Sequence, residues 1–263
     1  MIFENVQGIP NFESVEYSPK KTKYCILIPI INEGERIEKE LQTAKDNGIG
    51  ELCDIIICDG GSTDGSTEDS LLQSLGINTL LIKKDVGKQG AQLRMGFWWA
   101  LERGYEGFIT IDGNNKDSIE DVPKFIEKLD EGYDFLQGSR FIKGGTAINT
   151  PLSRYIAVRF IHAPIISLSA KKWYTDTTNA YRAYSRKYIT HSKLQPFRDI
   201  FESYELLAYL SVRADQLKLK TAEVPVRRSY PKGEKVPTKI SKFKGNSDLL
   251  KVLFKTLFGG YNV

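Results

Sequence analysis

Asp54-Ile-Ile-Ile-Cys58 runs straight into Asp59-Gly-Gly-Ser-Thr-Asp-Gly-Ser66, an apolar run that stops in a cluster of turn-forming residues. The run does not alternate, so it fits a strand buried on both faces rather than one half exposed. Tyr24-Cys-Ile-Leu-Ile-Pro29 has the same form on its N-terminal side and leads to Asn32-Glu33. Downstream, Thr79 to Ile82 and Gly107 to Ile111 read as two further strands, the last leading to Asp112-Gly-Asn114.

Helical patterns fill the intervals. Glu35 to Asn47 places Ile37, Leu41 and Ala44 on one face and meets a C-cap at Gly48. Gly90 to Arg103 is a second helix, in which Trp98 and Trp99 read as core residues. Ile119 to Glu131 is a third, with Val122, Phe125, Ile126 and Leu129 aligned. Strands alternating with helices predict parallel βαβ units, hence an α/β protein with a Rossmann-like, mostly parallel sheet flanked by helices. In such sheets ligands bind beyond the carboxyl ends of the strands. Here those ends carry Glu33, Asp59, Asp64, Asp112 and Asn114, oxygen-bearing side chains suited to a nucleotide and a divalent cation.

Composition narrows the classes. The 263 residues are 41% hydrophobic and 27% charged, which is globular. Met1 to Lys23 has acidic residues and no apolar core of a secretory signal, and no run approaches the ~20 residues that span a bilayer. The expected location is cytoplasmic, with any membrane contact peripheral and at the inner face. Cys25, Cys53 and Cys58 are an odd set without a CxxC, which argues against a disulfide framework or a zinc site. Net charge is +4, but Arg213 to Lys255 holds 12 Lys/Arg against 4 Asp/Glu, a tail suited to phosphates on a substrate or an anionic lipid surface. No helix-turn-helix, zinc or RNP pattern accompanies it, so nucleic acid is not the expected partner.

Several segments together resemble a known family. Pro29-Ile-Ile-Asn-Glu33, Asp59 to Ser66, Gly87-Lys-Gln-Gly-Ala91 with Arg94, and Ile111-Asp-Gly-Asn114 look like the ordered motifs of the family 2 glycosyltransferases. Gly138-Ser-Arg-Phe141, Asp176-Thr-Thr-Asn-Ala-Tyr-Arg-Ala183 and Glu223-Val-Pro-Val226 resemble its dolichyl- or polyprenyl-phosphate sugar synthase branch. The similarity runs from Lys23 to Lys242. It implies a GT-A fold, a nucleoside-diphosphate sugar donor, inversion at the anomeric carbon, and Mg²⁺ or Mn²⁺. The expected division is an N-terminal extension at 1–22, a GT-A domain at 23–245 and a C-terminal amphipathic helix at 246–263.

By family position Pro29, Glu33, Asp59 and Asp64 border the base and ribose, whose N–H and hydroxyl groups suit carboxylate acceptors. Read alone, Asp59 to Ser66 is a turn capping the next helix through Asp64 or Ser62. A P-loop is excluded because no Gly-Lys-Ser/Thr follows. Asp112 and Asn114 stand where the family has its DxD metal motif. Asn114 replaces the second aspartate, so weaker metal binding is expected, with Asp117 as a nearby carboxylate. Lys88 and Gly90 lie ahead of a helix N-terminus where backbone approaches phosphate or sugar. Arg94, Arg140 and Arg182 are candidates to hold donor phosphates or an anionic acceptor, and Lys235 is the candidate of the basic C-terminal loop.

For base chemistry the resemblance offers Asp176 and Glu205. Glu202 shares a helix face with Glu205 but reads as a solvated first-turn residue. The acceptor is left open between a polyprenyl phosphate and a hydroxyl of a lipid-linked or surface glycan. Asp248 to Phe258 forms an amphipathic helix for a membrane, the core or a second subunit of a homo-oligomer. Two other readings stand beside glycosyl transfer: a sugar nucleotidyltransferase, and a catalytically weakened nucleotide-sugar-binding protein.

Overall fold

The computed structural model describes residues 1–232 and 244–262, the side chains of 244–246 aside; Lys235, Lys239 and Lys242 lie outside the described residues. In chain order the strands are β1 (Ile2–Phe3), β2 (Phe12–Glu16), β3 (Tyr24–Ile30), β4 (Asp54–Asp59), β5 (Thr79–Lys83), β6 (Gly107–Thr110), β7 (Phe135–Ser139), β8 (Thr146–Ile148), β9 (Arg182–Ser185), β10 (Thr221–Pro225) and β11 (Arg227–Ser229). The helices are α1 (Glu35–Asp46), α2 (Ile49–Leu52), α3 (Asp69–Ser74), α4 (Gln89–Glu102), α5 (Val122–Asp130), α6 (Leu152–Ala157), α7 (Ala163–Ala170), α8 (Arg186–Ile189), α9 (Glu205–Gln216) and α10 (Lys244–Leu257). A π-helical turn, Val158–His162, joins α6 to α7.

Among the described residues nine strands form one sheet in the order β1-β2-β5-β4-β3-β6-β9-β7-β10. The four apolar runs of the sequence are its parallel centre, β5-β4-β3-β6. Every residue of β4 is buried, because α1, α2 and α3 cover one face of the sheet and α4 and α9 the other. β9 enters antiparallel between β6 and β7, and β1 and β2 extend the opposite edge antiparallel. Residues 1–22 thus contribute two strands to the same sheet. Trp99 is core, and Trp98 packs edge-on against Phe3 and Phe12. α10 docks Val252, Leu253 and Thr256 against the body, where the Ser169 hydroxyl donates to the Thr256 carbonyl.

Strand order reverses at β3, with β4 and β5 on one side and β6 on the other. The crevice at such a reversal is where doubly wound sheets bind ligands. A small parallel pair, β8 with β11, folds over this end. β11 also lies along the segment after β6: Ser118 donates its amide to the Arg227 carbonyl at 3.0 Å, and Ser229 to that of Lys116 at 2.7 Å.

Candidate active site

The loops after β3 and β4 are knitted together. Asn32 donates its amide to the Ser62 hydroxyl at 2.9 Å, and its side-chain oxygen accepts from the Thr63 amide at 2.8 Å. The buried Asp59 carboxylate accepts from the amides of Gly61 and Ser62 and the Ser62 hydroxyl, which sets the shape of the loop. Asp64 accepts from Gly34 and Ser66. Desolvation would raise its pKa, but the hydrogen bonds from Ser66 and Gly34 outweigh it and hold Asp64 below the usual carboxylate range. Glu33 pairs with Arg36 at 2.8 Å, and Pro29 sits half-buried in β3.

α4 meets these loops at its N-terminus. The Gln92 amide donates to the Ile30 and Cys58 carbonyls at 2.6 and 2.7 Å, tying the ends of β3 and β4. Lys88 is exposed at the helix start. The close approach that Gly90 permits is to the chain itself: a Cβ there would lie 2.6 Å from the carbonyl oxygens of Phe201 and Ser203. The amides of Lys88 and Ala91 donate to the Glu202 carbonyl, so the 201–205 segment is seated on the glycine-rich loop.

Asp112 emerges from β6 into this crevice. Its Oδ1 accepts from Gln89 at 2.8 Å, and its Oδ2 is 3.7 Å from the Arg228 guanidinium. Gly113 allows the loop to lie on β3, since a Cβ would fall 2.5 Å from Ile30. The Asn114 side-chain oxygen is buried and has no hydrogen-bond partner among the described residues. A hard divalent cation takes oxygen ligands, often only one or two from carboxylates. Asp112 and the orphaned Asn114 oxygen fit that need. Among the described residues no group of three His, Cys, Asp or Glu gathers to hold a metal, so phosphate and water would supply the remaining ligands. Asp117 is committed elsewhere, to a buried pair with Arg228; burial pushes its carboxyl up to about 6 against the pull of Arg228.

The three arginines singled out from the motifs have protein partners. Arg94 donates to the Gly8 carbonyl and pairs with Asp199 at 3.0 Å. Arg182 is spent on the carbonyls of Asn179, Leu207 and Thr177. Arg140 forms a bidentate pair with Asp176 at 2.6 and 2.8 Å, both side chains buried. That geometry suits Asp176 to holding the loop after β7, since an oxygen that took a proton would lose its guanidinium. Glu205 is half-buried at the start of α9 and accepts from the Ser203 amide at 2.7 Å.

What the sequence did not disclose is a cluster of cations around Tyr230. Lys116 Nζ and the guanidinium carbons of Arg154 and Arg228 each lie 5.7 Å from its ring centroid, and Arg140 donates to its hydroxyl at 3.4 Å. Burial alone would push the phenol up; Arg228, Arg140 and Arg154 outweigh it and hold Tyr230 below its usual range. The Arg227-Arg228 doublet just beyond Glu223-Val-Pro-Val226 is the sequence signal that marks it.

A mostly parallel sheet whose reversal point is lined by knitted acidic loops, with Asp112 at its floor and cations beside it, defines a GT-A fold with a candidate transfer site. The chain belongs to glycosyl transferase family 2, whose model matches residues 25–192, and it is a glycosyltransferase. It is 24% identical over 237 residues to glycosyltransferase AglJ of Haloferax volcanii, covering 90% of this chain and 73% of that protein. It is 28% identical over 204 residues to the undecaprenyl-phosphate mannosyltransferase of Micrococcus luteus, covering 76% and 81%. Among solved structures, glucosyl-3-phosphoglycerate synthase of Mycobacterium tuberculosis, in complex with Mn²⁺, UDP and phosphoglyceric acid, matches with a TM-score of 0.61 at 17% identity, over 90% of this chain and 78% of that one. The fold agrees with the GT-A expectation, and the family match favours transfer over the nucleotidyltransferase alternative.

Proposed function

We propose that the protein moves a sugar from a nucleoside-diphosphate sugar to the phosphate of a polyprenyl phosphate, with inversion. The cation cluster at Tyr230 carries this reading. It adjoins Asp112 through Arg228 and offers charge for a second anion beside the donor diphosphate. The Micrococcus luteus relative, by its name, acts on undecaprenyl phosphate, which supports the same acceptor class.

A phosphate acceptor is already an anion near neutral pH and needs no general base. One of its oxygens attacks the anomeric carbon, the bond from that carbon to the donor phosphate oxygen breaks, and the nucleoside diphosphate leaves with the bonding pair. Asp112 and Asn114 are the residues that would hold Mg²⁺ or Mn²⁺, whose Lewis acidity offsets charge on the departing diphosphate. Pro29, Glu33, Asp59 and Asp64 shape the donor crevice, with Lys88 at its edge. Arg140 and Asp176 hold the loop that carries the acceptor side, and Arg228, Arg154 and Lys116 attract the acceptor phosphate and orient it.

The surface beside the cluster fits a lipid. From Leu152 to Trp173 there is no Asp or Glu, while Arg154, Arg159, Lys171 and Lys172 are present. Leu152, Phe160 and Trp173 on the same stretch are 72, 69 and 62% exposed. Arg154 and Arg159 turn inward, over Tyr230 and toward the Thr175 carbonyl. In this reading the phosphate enters the cluster while the prenyl chain stays with the apolar ridge at a membrane surface. No described helix is long and apolar enough to cross a membrane.

The test is transfer from labelled UDP- and GDP-sugars with Mn²⁺ to undecaprenyl phosphate, undecaprenol or an oligosaccharide. Product with the phosphate alone is expected. Equal transfer to the alcohol or the oligosaccharide would overturn the assignment.

A further inference from the structure

Glu40 is a carboxyl on the core face of α1, among Ile37, Leu41 and Ala44, and is 0% exposed. Burying an ionisable group is costly unless it is paired, and Glu40 has no ion pair among the described residues. Its Oε2 accepts the backbone amide of Asn115 at 2.8 Å, and its Oε1 is buried with no hydrogen-bond partner among them. Burial, with Asp117 and Asp112 adding to it, pushes the carboxyl well above the usual range. A leucine at this position would remove the cost of burying the carboxyl and would leave the Asn115 amide without this acceptor.

What Glu40 does hold is the loop after β6. Asn115 follows Asn114 directly and adopts a left-handed backbone, φ 55°. Asn114 donates its amide to the Asp112 carbonyl at 2.8 Å, which makes a tight turn. α1 fixes that turn at two points. Ile37 packs where a Gly113 side chain would be, with its Cδ1 3.1 Å from the Cβ position, and Glu40 anchors Asn115. Asn114 lies between the two anchors.

We propose that Glu40 is a positioning residue for the cation: by accepting the Asn115 amide from the core, it keeps the Asn114 oxygen and the Asp112 carboxylate in the arrangement that receives the metal. This rests on the reading of Asp112 and Asn114 as the metal residues. α1 begins just beyond Asn32-Glu33, so one helix braces both the donor loop and the metal loop.

The experiment is Mn²⁺ titration by calorimetry with saturating UDP or GDP, whichever raises the melting temperature more, alongside thermal denaturation. Glu40→Gln keeps a carbonyl acceptor for the Asn115 amide, and its Mn²⁺ Kd should stay within about twofold of wild type. Glu40→Leu and Glu40→Met remove the acceptor, and should raise that Kd about 10-fold or more while melting no lower than wild type. Wild-type Mn²⁺ affinity in either apolar variant would overturn the proposal. So would a Glu40→Gln defect as large as theirs, or the failure of both apolar variants to fold, since Glu40 would then serve stability. Asp112→Ala is the control: if Glu40 fails the test while Asp112→Ala abolishes Mn²⁺ binding, the metal reading stands without Glu40. If Asp112→Ala leaves Mn²⁺ binding intact, both fall.

Discussion

Arg228 and Asp117, 111 residues apart, are joined twice: by a backbone bridge between antiparallel segments and by a buried guanidinium–carboxylate pair. The bridge sets β11 against the loop after β6, and the Arg228 guanidinium is held within 3.7 Å of Asp112. Where the family motif would have a second aspartate this chain has the neutral Asn114. The crevice is therefore poorer in negative charge and richer in positive charge than the motif alone suggests.

Removing one member of the pair should cost more than removing both. Arg228→Met leaves a buried carboxylate unpaired, an expected loss of about 3–5 kcal/mol, whereas Arg228→Met with Asp117→Leu should recover most of it. Urea denaturation of the single and double variants measures this. If the guanidinium serves the acceptor side as proposed, both should lose transfer by more than they lose donor affinity. A double variant with normal transfer would remove Arg228 from the mechanism.

Metal dependence should run through Asp112. Asp112→Ala is expected to abolish transfer and the Mn²⁺-dependent part of donor binding, since it removes the charged member of the pair of oxygens. Asn114→Asp should be tolerated and should tighten Mn²⁺ binding by adding a charged ligand. Calorimetry with and without Mn²⁺ separates these effects, and wild-type turnover in Asp112→Ala would contradict the site.

The two remaining carboxylates should behave differently. Asp176→Asn orphans the buried Arg140 and is expected to lower stability by about 3–5 kcal/mol with little change in donor affinity. Glu205→Gln should keep near-normal turnover, because a phosphate nucleophile has no proton to give up. Were the acceptor a hydroxyl, loss of its base would cost roughly 10²–10⁴ in rate, and kinetics at saturating donor would show it.

His162 gives the fold an acid-sensitive element. Burial in the π-helical turn between α6 and α7 lowers its pKa from 6.5 to about 4. Between those values the unfolded chain binds the proton and the folded one does not, so stability is full above pH 6.5 and falls as pH drops toward 4. The contribution is at most about 3 kcal/mol. His162→Gln should flatten the dependence of melting temperature on pH across that window; an unchanged slope would show that His162 titrates normally.

Much of the centre of the fold is legible in the sequence. Continuous apolar runs such as Tyr24-Cys-Ile-Leu-Ile-Pro29 are found where both faces of a strand are covered, and the spacing of Ile37, Leu41 and Ala44 follows the helix period. The antiparallel members were not legible. The pairing of β2 and β9 rests on partners distant in sequence, Phe12 with Lys83 and Thr110 with Arg182. The glycine at position 90 was visible, but its packing against Phe201 and Ser203 was not.

The sequence by itself determined the parallel α/β core and the placing of Asp59 and Asp112 at strand ends, because hydrophobic period and turn chemistry are local, and its ordered motifs carried the resemblance to the family. Only the tertiary structure decided which partner each charge meets. Arg94, Arg140, Arg182 and Arg228 are alike as letters. Three of them are held by Gly8 and Asp199, by Asp176, and by the carbonyls of Asn179, Leu207 and Thr177. The fourth is held by the buried Asp117 and, through the pairing of β11 with the segment after β6, is also carried to within 3.7 Å of Asp112. A guanidinium's function is set by the acceptors within about 3 Å of it, and those come from elements that only folding brings together.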